Sequence, residues 1–322
     1  MNKVYKVNGE KYLSFQLVVE NHYPTLEKIY ITFLDYFDNK IISLEYIVPI
    51  RPLGRINTYN NIFVPESTRT VLLNTNIVDA DFKYVSLHNR ELYDVNEDYV
   101  NFSTFKNIKY YSNEEDDKEY EKIVFLYNGM QQEYGTNSNK PLLLKQIQSN
   151  YPDTLFISLY DHHLPNGTYY SLFEGKSLFH EHIALVNYLA KKNKTNRILL
   201  CGSSAGGSFA LKMGASLKLK TLVFAPQYNI ETYAEMIKNK AVTILEYHRY
   251  YNIPSFAIKD YINTLIECNL LQYVYSNIDV ESNCDLTNDF DMSKECFIKC
   301  EDRHEDVLKN HVEILCDELY KL

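Results

Sequence analysis

The pattern of hydrophobic and polar positions changes between the first part of the chain and the rest. Up to about residue 105, short apolar stretches such as KYLSFQLVVEN, KIYITFLDYF and TRTVLLNT follow one another without helical periodicity. Turn-forming residues separate them, as in HYPT, FDNK and PLGR. Closely spaced short strands with turns between them are typical of an antiparallel sandwich. We therefore predict a small all-β sandwich domain over residues 1–110.

The stretch KNIKYYSNEEDDKEYEK follows these strands and includes an acidic run from Glu114 to Asp117. It lacks apolar periodicity, and a run of like charges is usually solvated. The pattern predicts a linker here, with a domain boundary near residues 110–120.

From residue 120 onwards, apolar runs alternate with amphipathic stretches. IVFLYNG, DTLFISLYD and RILLCGSSAGG have the pattern of buried strands, whereas SLFHEHIALVNYLAKKN has the period of a helix. Such alternation indicates β-α-β units on a mostly parallel sheet with helices on both faces. We predict a doubly wound α/β domain over residues 120–322.

Composition narrows the classes of function. The net charge of −9 and the isoelectric point near 5.5 argue against a surface that neutralises nucleic-acid phosphates, so we expect no nucleic-acid partner. No run of about 18 apolar residues occurs, and no integral membrane segment is predicted. The start of the chain has no pattern of a secretion signal, and the six cysteines form no C-x-x-C pair. A cytoplasmic protein with reduced thiols is the expectation.

One motif in the sequence predicts a catalytic residue. Gly202-Ser203-Ser204-Ala205-Gly206 matches G-x-S-x-G, with the apolar strand RILLC before it and a helical stretch after it. This strand-turn-helix context is that of the α/β-hydrolase nucleophile, which sits on a tight turn where flanking side chains would collide. The sequence does not match either common phosphate-loop pattern. Ser204 is therefore the predicted nucleophile of an enzyme with an α/β-hydrolase fold.

An acyl-transfer reaction also needs donors for the oxyanion. The backbone N–H of Ala205 lies at the predicted helix N-terminus, where free amides and the helix dipole favour negative charge. The second donor is expected in the loop after the domain's first strand, from the amide of Met130 or Gly129.

A serine hydroxyl needs a base, and in this fold the base follows the last strand. His304 follows the strand ECFIKC and is the predicted base, whereas His311 lies inside a helical pattern. The orienting acid should follow the preceding strand LLQYVYS, and both Asp279 and Asp285 lie in that loop. Generic spacing does not choose between these two aspartates.

Four other histidines are weaker candidates for a functional role. His162 and His163 follow the strand DTLFISLYD in a loop at the active-site edge of the sheet, and a substrate contact is considered for them. No third ligand at a recognisable spacing accompanies them, so no metal site is predicted. His180 and His182, on the helix before the nucleophile strand, are expected to pack rather than to catalyse.

The run CGSSAGGSFALKMGASLKLKTLVFAPQYNI resembles α/β-hydrolase-like serine enzymes of bacterial surface-polysaccharide clusters, including capsule O-acetyltransferases. The resemblance covers about residues 120–322 and is strongest at the nucleophile turn and at Ala225-Pro226-Gln227. It implies a carbohydrate substrate and His304 as the base. It also favours Asp285 over Asp279 as the acid, because that group carries the acid in a longer loop before a short helix.

Three functions are consistent with these residues. The favoured one is an O-acetyltransferase that forms an acyl-serine at Ser204, takes acetyl-CoA as its donor and holds no tightly bound cofactor. A carbohydrate acetyl esterase would use the same catalytic residues with water as the second nucleophile. The third is a non-catalytic accessory protein of glycan or glycoprotein export, which an intact triad argues against. The oligomeric state is not predicted.

Overall fold

The first part of the chain forms two small antiparallel sheets. In a computed structural model, the described residues are 2–19, 27–48, 56–77, 80–89, 102–129, 147–159, 161, 170, 172–173, 176–229, 258–279, 282–283 and 285–322. One sheet has the order β1-β6-β3-β4 and the other the order β5-β2-β7. Their bounds are β1 Asn2–Lys6, β2 Tyr12–Val19, β3 Glu27–Leu34, β4 Lys40–Val48, β5 Ile56–Phe63, β6 Thr70–Thr75 and β7 Ala80–His88.

Alternation of side chains along these strands builds a single core between the two sheets. Phe15 and Leu17 of β2 and Ile31 and Phe33 of β3 belong to one cluster of buried apolar residues, although β2 and β3 are in different sheets. Successive side chains of a strand point to opposite faces, so every second residue reaches this core. The predicted all-β sandwich is confirmed.

The rest of the described chain is organised around an eight-stranded sheet of order β17-β16-β15-β14-β10-β11-β9-β8. The six strands from β17 to β11 are parallel, and β9 and β8 add an antiparallel edge. The bounds are β8 Phe102–Phe105, β9 Ile108–Ser112, β10 Lys122–Tyr127, β11 Thr154–Leu159, β14 Ile198–Ser203, β15 Lys220–Phe224, β16 Leu271–Ser276 and β17 Phe297–Cys300. A separate two-stranded ribbon consists of β12 Leu172–Phe173 and β13 Lys176–Ser177.

Helices cover both faces of this sheet. They are α1 Phe179–Asn193, α2 Ser204–Leu217, α3 Ile258–Glu267, α4 Leu286–Asp289, α5 Val307–Asn310 and α6 Val312–Lys321. In β10, Phe125 packs in the core that contains α1, α2 and α3, whereas the adjacent Val124 packs in the core that contains α6. A strand that is covered on both faces is apolar at every position, which explains the continuous run IVFLY. The predicted doubly wound, mostly parallel sheet is confirmed.

Two details differ from the sequence predictions. Residues 102–112 pair with the large sheet, since β9 is antiparallel to β11, so the first part of the predicted linker, up to Ser112, is an edge strand of that sheet. Ile108 and Tyr110 alternate into the core of that sheet, and this outweighs their polar surroundings. The C-terminal helix is divided at His311, whose Nε2 lies 2.6 Å from Asp302 Oδ2.

A buried histidine makes the large core sensitive to acid. His182 of α1 is 1% exposed and packs against the rings of Tyr127, Tyr170 and Phe209. Its Nδ1 has no hydrogen-bond partner among the residues described. Burial lowers the pKa of His182 to about 3, because a charged imidazole would lose its hydration. The folded chain therefore keeps this ring neutral.

We expect this ring to cost the protein stability as the pH falls below about 6.5, the pKa of histidine in an unfolded chain. There the unfolded state binds a proton that the folded state does not, so unfolding becomes easier, down to the folded pKa of about 3. Between pH 7.5 and 5.5 the free energy of unfolding should fall by about 1.4 kcal/mol through His182 alone. Urea unfolding of His182→Gln at both pH values should lack this loss.

The matched control for this prediction is His180→Gln, at an exposed position of the same helix. That variant should keep the pH dependence of the unmodified chain. An equally steep loss of stability in His182→Gln would show that the proton is taken up elsewhere.

Candidate active site

Five parallel strands bring the predicted site residues to one edge of the sheet. The ends of β10, β14, β15, β16 and β17 lie side by side, and Ser204, Asp279 and His304 follow three of these ends. Loops at the carboxyl ends of parallel strands form the usual binding crevice of open α/β sheets. The order of the strands therefore gathers residues that are far apart in sequence.

Ser204 sits at the turn between β14 and α2, with a backbone φ of +52°. A left-handed conformation is unfavourable for a serine and is stored strain, as expected for a nucleophile on a tight turn. Its side chain is partly exposed, and the helix that it begins is buried through most of its first two turns. This places Ser204 at the carboxyl edge of the sheet, as the first residue of the helix.

The two glycines of the motif are required by space. A Cβ on Gly202 would lie 2.5 Å from the carbonyl oxygen of Gly206, which is closer than real Cβ contacts allow. A Cβ on Gly206 would overlap the carbonyl oxygens of Tyr127 and Asn128 at the end of β10. The turn can therefore close against the neighbouring strand only with glycine at both positions.

The His304 side chain contacts Ser204 at the carboxyl edge of the sheet. It follows β17 at the start of a short 3₁₀ turn, and its Nε2 lies 2.7 Å from Ser204 Oγ. Its Nδ1 lies 2.6 Å from Asp279 Oδ2. An ionised carboxylate accepts only, so Nδ1 carries the proton and the lone pair of Nε2 faces the serine hydroxyl. In this tautomer the imidazole can accept the proton of Ser204.

The aspartate that contacts His304 is Asp279, the alternative acid, rather than the favoured Asp285. The Asp279 side chain is 5% exposed, in a turn after β16 that is closed by the Asn283 side chain bonding to the carbonyl oxygens of Ser276 and Asp279. Asp285 is exposed at the N-terminal end of α4. Its backbone carbonyl accepts from the first turn of that helix. Asp279 lies only three residues after the end of β16. It can still reach His304, because β17, the strand before His304, is adjacent to β16.

Two further side chains touch this arrangement, and the sequence reasoning missed both as site residues. Ser282 Oγ lies 2.9 Å from His304 Nδ1, and its backbone N–H donates to Asp279 Oδ1 at 3.3 Å. Gln227 Nε2 donates to Ser204 Oγ at 3.2 Å. Gln227 follows the end of β15, next to the nucleophile strand, and that position is a signal the sequence contains. Ser282 lies in an irregular loop and has no comparable signal.

The predicted oxyanion donors are only partly within the described residues. Ala205 is buried in the first turn of α2, and a Cβ on Gly129 would lie 3.1 Å from Ser204 Cβ, so both backbones lie beside the nucleophile. Met130 lies outside the described residues. The loop before it is anchored, because Asn128 Nδ2 donates to Ser158 Oγ at 2.9 Å and Tyr170 Oη donates to the Asn128 carbonyl at 2.9 Å.

His162 and His163, the considered substrate contacts, lie outside the described residues. Cys300, Asp302 and His311 have ligand-type atoms within 4.8 Å of one another. The Asp302 carboxylate pairs with His311 Nε2 and accepts from Asn310 Nδ2, each at 2.6 Å. We interpret this cluster as a polar network that ties the His304 loop to the C-terminal helices.

Within the described ranges, no helix has both the length and the apolar character needed to cross a membrane.

Comparison with known proteins gives the fold. No protein-family model and no curated protein sequence matches this chain. Among solved structures, the capsule O-acetyltransferase of Neisseria meningitidis serogroup A is similar, with 18% identity over 69% of this chain and 94% of that chain and a TM-score of 0.51. Est1E from Butyrivibrio proteoclasticus has 13% identity over 69% of this chain and 99% of that chain, with a TM-score of 0.46. The similarity to the capsule O-acetyltransferase structure, together with the parallel sheet and the strand-turn-helix at Ser204, gives this chain an α/β-hydrolase fold, preceded by a small antiparallel sandwich.

Proposed function

We propose that this chain is a serine acyl-transfer enzyme in which Ser204 is the nucleophile, His304 the base and Asp279 the orienting acid. The observation that carries the proposal is the continuous line of hydrogen bonds from Ser204 Oγ through the two ring nitrogens of His304 to Asp279. This arrangement is the one that activates a serine hydroxyl on several unrelated folds. Its assembly from three separate loops supports a catalytic role over a purely structural one.

In the first half of the reaction, His304 Nε2 takes the proton of Ser204 as Oγ attacks the acyl carbonyl. A bond from Oγ to the carbonyl carbon forms, and the negative charge moves to the carbonyl oxygen, near the backbone of Ala205 and Gly129. The bond to the leaving group then breaks, and His304 gives its proton to that group. Asp279 stabilises the imidazolium while it exists.

In the second half, a hydroxyl group gives its proton to His304 and attacks the acyl-serine. The bond from carbon to Oγ breaks, and Ser204 recovers its proton from His304 Nε2. With water as the nucleophile the result is hydrolysis of an ester. With a sugar hydroxyl the result is transfer of the acyl group to the sugar.

We propose transfer of an acetyl group from acetyl-CoA to a surface-type polysaccharide in the cytoplasm, where that donor is available. The similarity of the fold to a capsule O-acetyltransferase, together with the resemblance around Ser204, supports this choice. The residues of the triad themselves serve both reactions equally, so the choice between transfer and hydrolysis rests on the acceptor.

The test has two steps. The chain is first treated with a fluorophosphonate and the modified residue is mapped, with Ser204→Ala as the control that should not react. It is then incubated with acetyl-CoA and capsule-type oligosaccharides, and the mass of the glycan is measured by mass spectrometry. A gain of acetyl groups that Ser204→Ala lacks supports the transferase. Hydrolysis of nitrophenyl acetate without any gain on the glycan identifies an esterase. Absence of labelling at Ser204 argues against serine catalysis altogether.

A further inference from the structure

Gln227 is a buried polar residue whose side chain is aimed at the nucleophile. It is 0% exposed and lies just past β15, the strand beside β14. The backbone turns sharply before it, since Ala225 has a φ of +41° and precedes a proline. Alanine in the left-handed region is strained, and such strain is kept where surrounding structure holds a segment in place. The path of this segment delivers the Gln227 amide to Ser204.

Two neighbouring elements hold the segment. Ser208 Oγ, on α2, donates to the Gln227 carbonyl at 2.8 Å, which fixes the Gln227 backbone one turn beyond the nucleophile. The Tyr228 N–H donates to the Ser282 carbonyl at 3.0 Å, and Ser282 in turn contacts His304. The segment from Ala225 to Tyr228 is therefore connected to the loops of both the nucleophile and the base. The position of the Gln227 side chain therefore depends on the positions of these two loops.

The hydrogen bond from Gln227 reaches the reacting atom itself. Ser204 Oγ accepts from Gln227 Nε2 at 3.2 Å while it faces His304 Nε2 at 2.7 Å. A primary amide does not titrate near neutral pH, so it donates to Oγ without competing with His304 for the proton. Hydrogen bonds to a charged acceptor in a buried site are stronger than those to a neutral one. The bond should therefore strengthen whenever Oγ becomes more negative.

We propose that Gln227 is a further catalytic residue, which orients Ser204 Oγ toward His304 and stabilises negative charge on Oγ in both halves of the reaction. Charge develops on Oγ as its proton moves to His304 before attack. It develops again when Oγ leaves the acyl carbon during transfer to the acceptor. This inference rests on the proposed role of Ser204 as the nucleophile.

The test measures the reactivity of Ser204 directly, so that no natural substrate is needed. Gln227→Met keeps the length of the side chain but removes the donor, and we expect the second-order rate of fluorophosphonate labelling to fall about 10- to 100-fold. Gln227→Glu places a carboxylate beside Oγ. It should also move the pH profile of labelling toward higher pH, because a negative charge nearby makes the His304 imidazolium harder to deprotonate.

Gln272→Met and Gln272→Glu are the matched controls, since Gln272 lies near the start of β16, at the opposite end of the sheet from the site. Both should label at the rate and with the pH profile of the unmodified chain. Melting temperatures are compared for all variants, and if Gln227→Met does not fold, the pH profile of Gln227→Glu decides.

Two outcomes count against the inference and are distinct from each other. Unchanged labelling rates and an unchanged pH profile in the Gln227 variants, with labelling lost in Ser204→Ala, would overturn the role of Gln227 and leave the proposed function standing. An unmodified chain that is not labelled at Ser204 would overturn both.

Discussion

His304→Ala is expected to lower kcat for ester turnover by about 10⁶-fold, which corresponds to about 8 kcal/mol of transition-state stabilisation. Nε2 of His304 lies 2.7 Å from Ser204 Oγ, and without it the hydroxyl has no base of comparable geometry among the described residues. Labelling by a fluorophosphonate should fall in parallel, since it depends on the same proton transfer. Both rates are measured on protein whose melting temperature matches that of the unmodified chain.

The control for this variant is His180→Ala, at an exposed position of α1. It should keep the full rate of turnover. If His304→Ala retained more than about a hundredth of the original rate, His304 would not be the general base, whose loss alone costs far more in serine enzymes.

The second large effect is expected for Asp279→Asn, with a fall in kcat of about 10⁴-fold. Asp279 Oδ2 lies 2.6 Å from His304 Nδ1, and its charge selects the tautomer whose Nε2 can accept a proton. An asparagine amide can donate to Nδ1 instead, which favours the wrong tautomer and gives no charge to stabilise the imidazolium. The substitution is almost equal in size, so the loss should appear in kcat and hardly in stability.

Asp285→Asn gives the decisive comparison, because that side chain is exposed at the start of α4. We expect turnover within about twofold of the unmodified chain, as for surface substitutions away from special features. The reverse result, a severe loss for Asp285→Asn with Asp279→Asn active, would restore the assignment favoured by the resemblance. It would mean that the loop rearranges during the reaction.

Some of the candidate site residues have a local sequence pattern of their own, and others do not. Ser204 could be predicted because a nucleophile on a tight turn needs local features, namely glycines at fixed positions and a strand and a helix on either side. His304 could be predicted because the fold places the base after the last strand. Both predictions depend on short-range patterns and on chain order, and the structure brings these two side chains together.

The acid and the supporting contacts depend on loop conformation, which no local pattern encodes. Asp279 and Asp285 lie in the same loop, and the choice between them follows from a turn closed by the Asn283 side chain. Ser282 contacts His304 only because that turn folds back. Such hydrogen bonds depend on how the loop folds and not on the number of residues in it, so spacing alone could not distinguish the two aspartates.

Among the elements, the two edge strands were the least predictable. Their second half, from Lys106 to Ser112, has only short apolar alternation beside an acidic run, so its sequence favours a linker over a strand. What makes it a strand is its partner, because the edge of β11 offers unpaired backbone groups next to a large apolar core. Tertiary pairing of this kind commonly overrides local propensity in strands.

The position of these edge strands decides where the chain can be divided. The register of β9 pairs Tyr110, Tyr111 and Ser112 with the end of β11, whose residues are buried throughout. A fragment that began at residue 120 would lack β9. The edge of β11 would then expose unpaired backbone groups and apolar side chains, which favours self-association. A fragment that contains the large sheet alone should therefore start upstream of Phe102, so that it keeps the β8-β9 hairpin at the edge of the sheet.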